Sequence, residues 1–301
     1  SVSGGTWYVA CRRPGVEHFN GRLEGFVIRD SSEIVCSWDF SREITSDRLV
    51  DVSGRDHHGW LRQTPTRAVQ GVSWDGTVQS WTDNPSHYAA IHFHEDDLTD
   101  AEWEDSLVWQ VPTELPSGQY ALKLNQDDSE DYVMFFVRPG SGKSKSEILY
   151  LVPTATYLAY ANHRMNLGEG GGMSSISKSL VRNENDAYLQ SHKELGYSLY
   201  EHHDDGSGVH MSSRHRPILN LKPKNGTWAF NADTHITAWL ETRPESFDVL
   251  TDEDLHLEGF EALQDYRVII TGTHPEYWST DMLDGLEEWL ERGGRLMYMG
   301  G

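Results

Sequence analysis

The stretch from Asp265 to Gly301 constrains the fold most, because it has the pattern of a strand, a helix and a second strand in succession. Residues 268–270 form a short, continuous apolar run, which is typical of a strand covered on both faces in a parallel sheet. We predict a helix next, capped by Ser279 and ended by the glycine pair at 293–294. Residues 295–299 then form another strand. The stretch therefore predicts a βαβ unit, whose crossover should be right-handed.

The loop after the first of these strands is the predicted site of chemistry. Ligands of open parallel sheets lie beyond the carboxyl ends of the strands, and residues 272–278 lie there. We therefore expect the chemistry of the protein at His274, Glu276 and Tyr277. A phenolate and a carboxylate together offset the charge of an oxidised iron, so a tyrosine beside a glutamate and a histidine suits a hard metal ion. From composition alone, a buried tyrosine with a hydrogen-bonded hydroxyl is the more common outcome.

The composition excludes several classes of partner. With 47 Asp and Glu against 25 Lys and Arg, the chain lacks the charge of a protein that binds nucleic acid or an anionic membrane. No apolar run approaches the roughly 20 residues needed to span a bilayer. Only Cys11 and Cys36 are present, which predicts a reduced, cytoplasmic setting, with a single bridge between them as the less favoured alternative. A length of 301 residues allows two or three domains, and the character of both ends leads us to expect an internal part of a longer protein.

The amino-terminal part has the pattern of antiparallel β structure. Residues 1–81 are rich in short alternating apolar runs separated by turn signals, as in a β-sandwich. The loop 51–59 holds acids and histidines, and a polar loop between strands is favoured there over a metal site. Residues 82–139 are predicted to form a second, small β unit, closed by strands at 117–124 and 132–137.

Two histidines in this second β unit raise the question of a metal site. His92 and His94 fall on one face of an alternating segment, opposite Ile91 and Phe93, and acidic residues follow. The spacing resembles a metal-ligand cluster. A polar sheet face that runs into an acidic loop explains it without a ligand, and this is the interpretation we favour.

The second half of the chain has a different pattern. Residues 140–146 are small and polar without periodicity, so they are predicted to be a linker, and they lack the glycine spacing of a phosphate-binding loop. From 147 to 301 strands and helices alternate, which predicts an α/β domain with a mostly parallel sheet. Beyond the unit described first, strands are predicted at 148–152 and 247–250 and helices at 234–241 and 252–263.

Covalent catalysis is not predicted for this α/β part. It has no Gly-x-Ser-x-Gly elbow and neither cysteine, so the usual serine and cysteine nucleophiles are missing. Long polar loops at 168–172 and 201–213 are instead candidates for functional loops. Tyr157, Tyr160 and Trp278 are candidate walls of a small apolar pocket, although core packing is the commoner place for such side chains.

Five segments together resemble one known family. They are Gly272-Thr-His-Pro-Glu-Tyr-Trp-Ser279, Gly293-Gly-Arg-Leu-Met-Tyr-Met-Gly-Gly301, Asp204-Asp-Gly-Ser-Gly-Val209 with Arg216-Pro-Ile-Leu-Asn220, Val249-Leu-Thr-Asp-Glu-Asp-Leu-His256 and Ala90-Ile-His-Phe-His-Glu-Asp-Asp97. These segments are similar to parts of the large (beta) subunit of N,N-dimethylformamidase and its relatives. The resemblance runs the length of the chain and is densest after residue 147.

The resemblance implies an architecture and an activity. The architecture is a partial jelly-roll or laminin-G-like β domain, a small β-sandwich and an amidotransferase-like α/β domain without that family's cysteine. The activity is hydrolysis of N,N-dimethylformamide to formate and dimethylamine at a mononuclear iron, Fe³⁺, held by two tyrosines and a glutamate. A small partner subunit in a hetero-oligomer is also implied.

Carried over to this sequence, the resemblance places one iron ligand at Tyr277. The second tyrosine should lie near residues 233–236, where this sequence has none. His235 is the substitute there, with Tyr157 or Tyr160 as alternatives. The glutamate ligand should lie beyond Gly301.

Two other functions stay open on the sequence. One is a non-catalytic protein whose β units bind a glycan or a partner subunit, and the other is a related amidase with a different substrate. A visible tyrosinate-to-iron absorption band would indicate the enzyme. A colourless, metal-free protein that binds carbohydrate would indicate the binding protein.

Overall fold

A computed structural model of the chain describes residues 5–13, 15–140, 146–164, 184–225 and 229–300. The chain divides into two compact units. The first unit comprises Ser1–Ala101 and His202–Arg216, and the second comprises Glu102–Glu201 and Pro217–Gly301. The predicted linker falls largely outside the described residues, as does the loop 168–172. In the described part, no helix is both long and apolar enough to cross a membrane.

The first unit consists of antiparallel strands, as predicted. They are β1 (Cys11–Arg13), β2 (Val16–His18), β3 (Gly21–Glu24), β4 (Phe26–Asp30), β5 (Glu33–Asp39), β6 (Arg48–Asp51), β7 (Gly59–Trp60), β8 (Thr66–Val69) and β9 (Ala90–Phe93), with a 3-10 helix at Pro85–Tyr88. Three sheets result, ordered β1-β2, β4-β5-β6-β7 and β3-β9-β8. Both cysteines are free thiols, so the single bridge is not formed.

Strand β9 shows how alternation along one strand builds the core of this unit. Ile91 is fully buried among Phe40 and Leu49, and Phe93 packs against the same cluster. The prediction that these two side chains share one face is confirmed.

Strand β9 pairs with β3 and β8, which come from the stretch 1–81. Two assignments stay predictions. One is the jelly-roll fold, and the other is the division of the chain into residues 1–81, 82–139, 140–146 and 147–301.

The second unit contains one hairpin and one parallel sheet. Its elements are β10 (Gly118–Gln126), β11 (Ser129–Val137), β12 (Ile148–Val152), α1 (Thr154–Ala159), α2 (Glu184–Ser191), a 3-10 helix at Lys193–Leu195, α3 (Phe230–Glu241), β13 (Phe247–Thr251), α4 (Asp252–Glu258), α5 (Phe260–Leu263), β14 (Val268–Thr271), α6 (Thr280–Glu291) and β15 (Arg295–Met297). The hairpin β10-β11 and the strands at 148–152 and 247–250 confirm the sequence predictions. The sheet order is β13-β12-β14-β15, and all three pairings are parallel.

The parallel sheet is buried on both faces, which explains its continuous apolar strands. Leu149 and Ile269 point to one face, where they pack with side chains of α4, α5 and α6. Tyr150 and Ile270 point to the other face, where they pack with Tyr157 of α1 and with residues of α3. The amidotransferase-like assignment of this sheet stays a prediction.

Helix α6 follows its predicted limits closely. The Ser279 hydroxyl accepts a hydrogen bond from the Met282 N–H at 3.2 Å, which caps the helix as expected. The helix predicted over 252–263 is instead two short helices, α4 and α5, which meet at Gly259 with a φ of 55°. α6 passes close to this junction, since a Cβ on Gly285 would lie 2.8 Å from the Gly259 carbonyl carbon. The break therefore leaves room for α6.

Candidate active site

The candidate site lies at the carboxyl ends of β12 and β14, the two central strands of the sheet. After β12 the chain goes on to β13 on one side, and after β14 it goes on to β15 on the other side. The two connections therefore leave neighbouring strand ends in opposite directions. In open α/β sheets a ligand-binding crevice forms at such a point.

The carboxylate of Glu276 is at the centre of the site. Its Oε2 accepts a hydrogen bond from the Tyr160 hydroxyl at 2.8 Å and lies 3.0 Å from Nε2 of His274. Its Oε1 accepts a hydrogen bond from the Tyr200 hydroxyl at 2.7 Å. The Tyr277 hydroxyl donates to the Tyr200 oxygen at 2.9 Å. Two phenols and an imidazole thus contact one carboxylate, and a third phenol, that of Tyr277, is linked to it through Tyr200.

The aromatic rings at the site pack against one another. Tyr160 and Tyr200 are stacked, with ring centroids 4.3 Å apart and planes 15° apart. His163 lies edge-on to both rings, and its Nδ1 is 2.9 Å from the Ser198 hydroxyl. The Leu199 N–H donates to the carbonyl of Ala159 at 3.0 Å, which holds Tyr200 beside the end of α1. These contacts fix the stacked pair without any regular element around Tyr200.

The loop that carries Glu276 and Tyr277 is anchored by one hydroxyl of α1. Thr156 Oγ1 accepts hydrogen bonds from the backbone N–H groups of Glu276, at 2.9 Å, and of Tyr277, at 3.3 Å. Thr156 is almost fully buried. The end of β12 therefore sets the position of the loop that follows β14.

Asp233 of α3 anchors the start of the same loop. Its Oδ1 accepts hydrogen bonds from the N–H and the hydroxyl of Thr273, at 2.6 and 2.7 Å, and its Oδ2 accepts one from the Tyr157 hydroxyl. Asp233 approaches the backbone closely at Gly272. A Cβ at that position would lie 2.7 Å from Pro153 Cγ, so only glycine fits there.

Burial and hydrogen bonding determine the charges in the cluster. Burial and the nearby Glu276 carboxylate raise the pKa of Tyr160 to about 12. Burial, reinforced by hydrogen bonds with its neighbours, raises the pKa of Tyr200 above its ordinary value. Burial also acts to raise the pKa of Glu276, but hydrogen bonds from Tyr200 and Tyr160 outweigh it and lower that pKa. At neutral pH the cluster is therefore an ionised carboxylate held by protonated phenols.

The oxygen atoms of this cluster fit a small, hard metal ion. Two oxygens bound to such an ion at ~2.1 Å in neighbouring octahedral positions lie about 3.0 Å apart. The Tyr277 and Tyr200 oxygens are 2.9 Å apart, and Tyr200 and Glu276 Oε1 are 2.7 Å apart. A phenolate and a carboxylate suit Fe³⁺ better than a softer ion. Tyr277 and Tyr200 could therefore supply two ligand atoms, and the Glu276 carboxylate lies beside them.

Comparison with known proteins identifies the family. The sequence model described as "N,N-dimethylformamidase beta subunit-like, C-terminal" matches residues 66–301. The chain belongs to the N,N-dimethylformamidase beta subunit-like family.

Two relatives show the extent of the match. The N,N-dimethylformamidase beta subunit of an Alcaligenes species is 37% identical over an alignment of 328 positions, gaps included, that covers 98% of this chain and 42% of that protein. The N,N-dimethylformamidase beta subunit of Paracoccus aminophilus is 37% identical over an alignment of 331 positions, gaps included, that covers 99% of this chain and 42% of that protein. The chain thus spans less than half the length of these relatives.

Four of the residues predicted from the sequence of this dimethylformamidase-family chain meet in the site. They are Tyr160, His274, Glu276 and Tyr277. Tyr200 was missed, because it lies in an irregular segment just before the polar loop 201–213. Nothing in its local sequence distinguishes it from other tyrosines. Tyr200 reaches Tyr277 only because the irregular segment that carries Tyr200 contacts the end of α1.

The other three predicted residues lie elsewhere in the second unit. Tyr157 is 3% exposed and packs edge-on against Phe230 in the core. Trp278 packs against the opposite core cluster, and its Nε1 donates to the Pro275 carbonyl at 2.8 Å. His235 is on an exposed position of α3, and among the described residues no hydrogen bond joins it to the Glu276 cluster.

Asp252, at the start of α4, gives the unit a testable pH dependence. Its carboxylate is 4% exposed and accepts a hydrogen bond from the Ala155 N–H at 2.9 Å. Burial raises the pKa of Asp252 to about 7, against the opposing effect of that hydrogen bond. In the unfolded chain the pKa of an aspartate is about 3.9. Between these values the folded state holds a proton that the unfolded state has lost, so the free energy of unfolding falls as the pH rises.

We expect Asp252→Asn to remove this dependence. Between pH 5 and 8 the wild-type free energy of unfolding should fall relative to the variant by about 1–3 kcal/mol. Urea unfolding at both pH values measures the difference. Asp284→Asn, at an exposed position of α6, is the control and should follow the wild type. Parallel pH profiles for the wild type and Asp252→Asn would contradict the assignment.

Proposed function

We propose that this chain carries the centre of an iron-dependent amide hydrolase that cleaves a small N-substituted formamide, N,N-dimethylformamide, to formate and dimethylamine. The observation that carries the proposal is the convergence of Tyr277, Tyr200 and Glu276 at the switch point of the parallel sheet. Membership of the family supports it, because both relatives are named N,N-dimethylformamidase beta subunits.

Tyr277 and Tyr200 would hold a single Fe³⁺ ion, with Glu276 as the nearest carboxylate. Tyr200 replaces His235 as the partner of Tyr277 in this proposal, because its hydroxyl is in contact with that of Tyr277. When bound, the ion supplies a Lewis acid that polarises the amide carbonyl and acidifies water. A glutamate, the third ligand that the family resemblance implies, would complete the set.

We propose that Glu276 and His274 move protons in the hydrolysis. The ionised Glu276 would take a proton from the water whose oxygen forms a bond to the formyl carbon. His274 Nε2, 3.0 Å from Glu276 Oε2, would pass this proton to the amide nitrogen as the carbon–nitrogen bond breaks. The second proton of the water leaves with the formic acid, which ionises and transfers this proton to the released dimethylamine. The products are then formate and dimethylammonium, so atoms and charge are conserved.

The stacked rings of Tyr160 and Tyr200 would form the wall next to the substrate. A flat aromatic surface accepts N-methyl groups without leaving a polar group unpaired. Tyr157 and Trp278, which we had predicted for this wall, are packed into the core clusters. We therefore assign them a supporting role behind the site.

The proposal includes a second kind of subunit. The two relatives are named beta subunits, so we propose that this chain also assembles with a smaller, different chain. The cytoplasmic setting stays a prediction that rests on the two free cysteines.

Amine release from a panel of formamides and acetamides by the full protein tests the proposed function. We expect turnover of N,N-dimethylformamide, and a fall of about 100-fold in kcat for Glu276→Gln, which keeps the size of the side chain but cannot take a proton. Glu287→Gln, at an exposed position of α6, should retain full activity. Absence of turnover of every formamide, or full activity in Glu276→Gln, would contradict the proposal.

A further inference from the structure

A second group of metal-ligating side chains lies in the first unit and takes no part in the proposed hydrolysis. It joins the turn after β9, residues 94–97, to the hairpin His202–Gly208. The hairpin turns at Gly206, which has a φ of 83°, and the His203 N–H donates to the Ser207 carbonyl at 2.9 Å. Both segments belong to motifs that the sequence analysis singled out and that the Glu276 cluster does not use.

Hydrogen bonds fix which nitrogen of His94 carries the proton. The Ser207 hydroxyl donates to Asp205 Oδ1 at 2.6 Å, so its oxygen must accept from His94 Nε2, 2.9 Å away. With the proton on Nε2, Nδ1 carries the lone pair. The His94 side chain is 4% exposed, and in the part of the chain that the structure describes Nδ1 has no hydrogen-bond partner.

Asp97 directs one oxygen at this lone pair. Its Oδ2 accepts a hydrogen bond from the backbone N–H of His94 at 3.0 Å, which fixes the carboxylate. Its Oδ1 then lies 3.5 Å from His94 Nδ1 and 3.8 Å from His203 Nε2. The Asp97 side chain is only 10% exposed. Two electron-rich atoms therefore face each other in a buried place, where a bare pair of acceptors is unfavourable.

His203 is oriented in the way that metal-binding histidines usually are. Its Nδ1 lies 2.6 Å from Asp96 Oδ1, so the ring donates its Nδ1 proton to that carboxylate. The lone pair of the neutral ring is then on Nε2, the atom nearest to Asp97 Oδ1. A carboxylate behind a histidine is the common outer partner of a metal ligand.

We propose that His94 Nδ1, His203 Nε2 and Asp97 Oδ1 bind a first-row divalent cation, with Zn²⁺ as the occupant. Two nitrogen or oxygen ligands of tetrahedral zinc, each at ~2.05 Å, lie about 3.4 Å apart, close to the measured 3.5 and 3.8 Å. The fourth position would be open to water. His92 is outside the ligand set, because its Nε2 already pairs with Asp205 Oδ2 at 2.9 Å.

One ring has to turn when the ion binds. The rings of His94 and His203 are stacked 3.7 Å apart and 1° from parallel, so one ion cannot lie in both ring planes. The His94 ring is held at Nε2 by Ser207, so we assign the rotation to His203, with the Asp96 carboxylate, whose side chain is 22% exposed, following its Nδ1. The ion would thereby connect the 202–208 hairpin to the end of β9, a structural role within the first unit.

Titration of the chelator-stripped full protein with zinc chloride tests this site. We expect the wild type to bind Zn²⁺ with an affinity that falls about 100-fold or more in Asp97→Asn and by roughly 10–100-fold in Asp96→Asn, which alters only the outer partner. Glu95→Gln, an exposed neighbour in the same turn, is the matched control and should bind as the wild type does. Tyr277→Phe should also leave this Zn²⁺ equivalent unchanged, which separates the site from the proposed iron centre.

Thermal unfolding distinguishes the loss of the zinc site from a defect in folding. Without metal, Asp97→Asn should melt at or above the temperature of the wild type, because its amide can donate to His94 Nδ1, and added Zn²⁺ should raise the melting temperature of the wild type alone. No zinc binding by the wild type would overturn the proposal. Zinc binding that Asp97→Asn and His203→Gln leave intact would overturn it as well.

Discussion

Tyr277→Phe is expected to remove iron from the protein and with it the hydrolysis of formamides. The change deletes one oxygen atom and leaves the ring, so the packing of the loop should be kept. The Tyr200 hydroxyl would retain its hydrogen bond to Glu276 but lose its contact with Tyr277. Loss of a Lewis acid costs several kcal/mol of transition-state stabilisation, so kcat should fall by about 1000-fold or more. Elemental analysis and an amine-release assay on the same preparation measure both effects.

Tyr188→Phe is the control for this experiment. Tyr188 is 50% exposed and stacks on His192 in the region of α2, away from the Glu276 hydrogen bonds. Iron content and kcat should be unchanged in it. Iron at wild-type stoichiometry in Tyr277→Phe would mean that this phenol is not a ligand.

Asp233→Ala is expected to destabilise the second unit and to disable the site at the same time. Asp233 is 1% exposed and accepts three hydrogen bonds, two from Thr273 and one from Tyr157. The variant leaves the buried Tyr157 hydroxyl and the two half-buried Thr273 donors unpaired, and it opens a cavity beside Gly272. Since each such loss costs roughly 1–3 kcal/mol, we expect the free energy of unfolding to fall by about 3–5 kcal/mol. Urea unfolding followed by circular dichroism measures it.

Two further variants show which property of Asp233 matters. Asp233→Asn keeps an acceptor for the Thr273 N–H and should lose only about 1–2 kcal/mol. His235→Ala changes an exposed residue of the same helix and should stay within about 0.5 kcal/mol of the wild type with full iron content. Loss of iron in His235→Ala would restore that histidine as a ligand. A wild-type unfolding curve for Asp233→Ala would contradict the anchoring role.

The α/β part could be predicted because its signals are local. The apolar run at 268–270, the Ser279 cap and the glycine pair at 293–294 each act within a few residues, and the helix and strands formed as expected. The break at Gly259 could not be predicted, because it depends on α6 packing against the junction. The loop after β14 was located by a general property of parallel sheets and not by any motif.

The partners of Tyr277 were harder to predict, because they depend on long-range contacts. Near residues 233–236 the sequence offered His235, but two positions along a helix are about 200° apart around its axis. Asp233 therefore faces the loop at Thr273, and His235 faces outward. Likewise His94 was recognisable as a candidate ligand, whereas His203 joins it only through the hairpin far along the chain.

The visible absorption spectrum of the full protein during titration with ferric iron tests the central claim most directly. If Tyr277 and Tyr200 bind the ion through their oxygens, a tyrosinate-to-iron band should appear and saturate at one equivalent. The band should weaken and shift in Tyr200→Phe and be absent in Tyr277→Phe. A protein that binds iron without colour, or whose band is unchanged in both variants, would contradict the account.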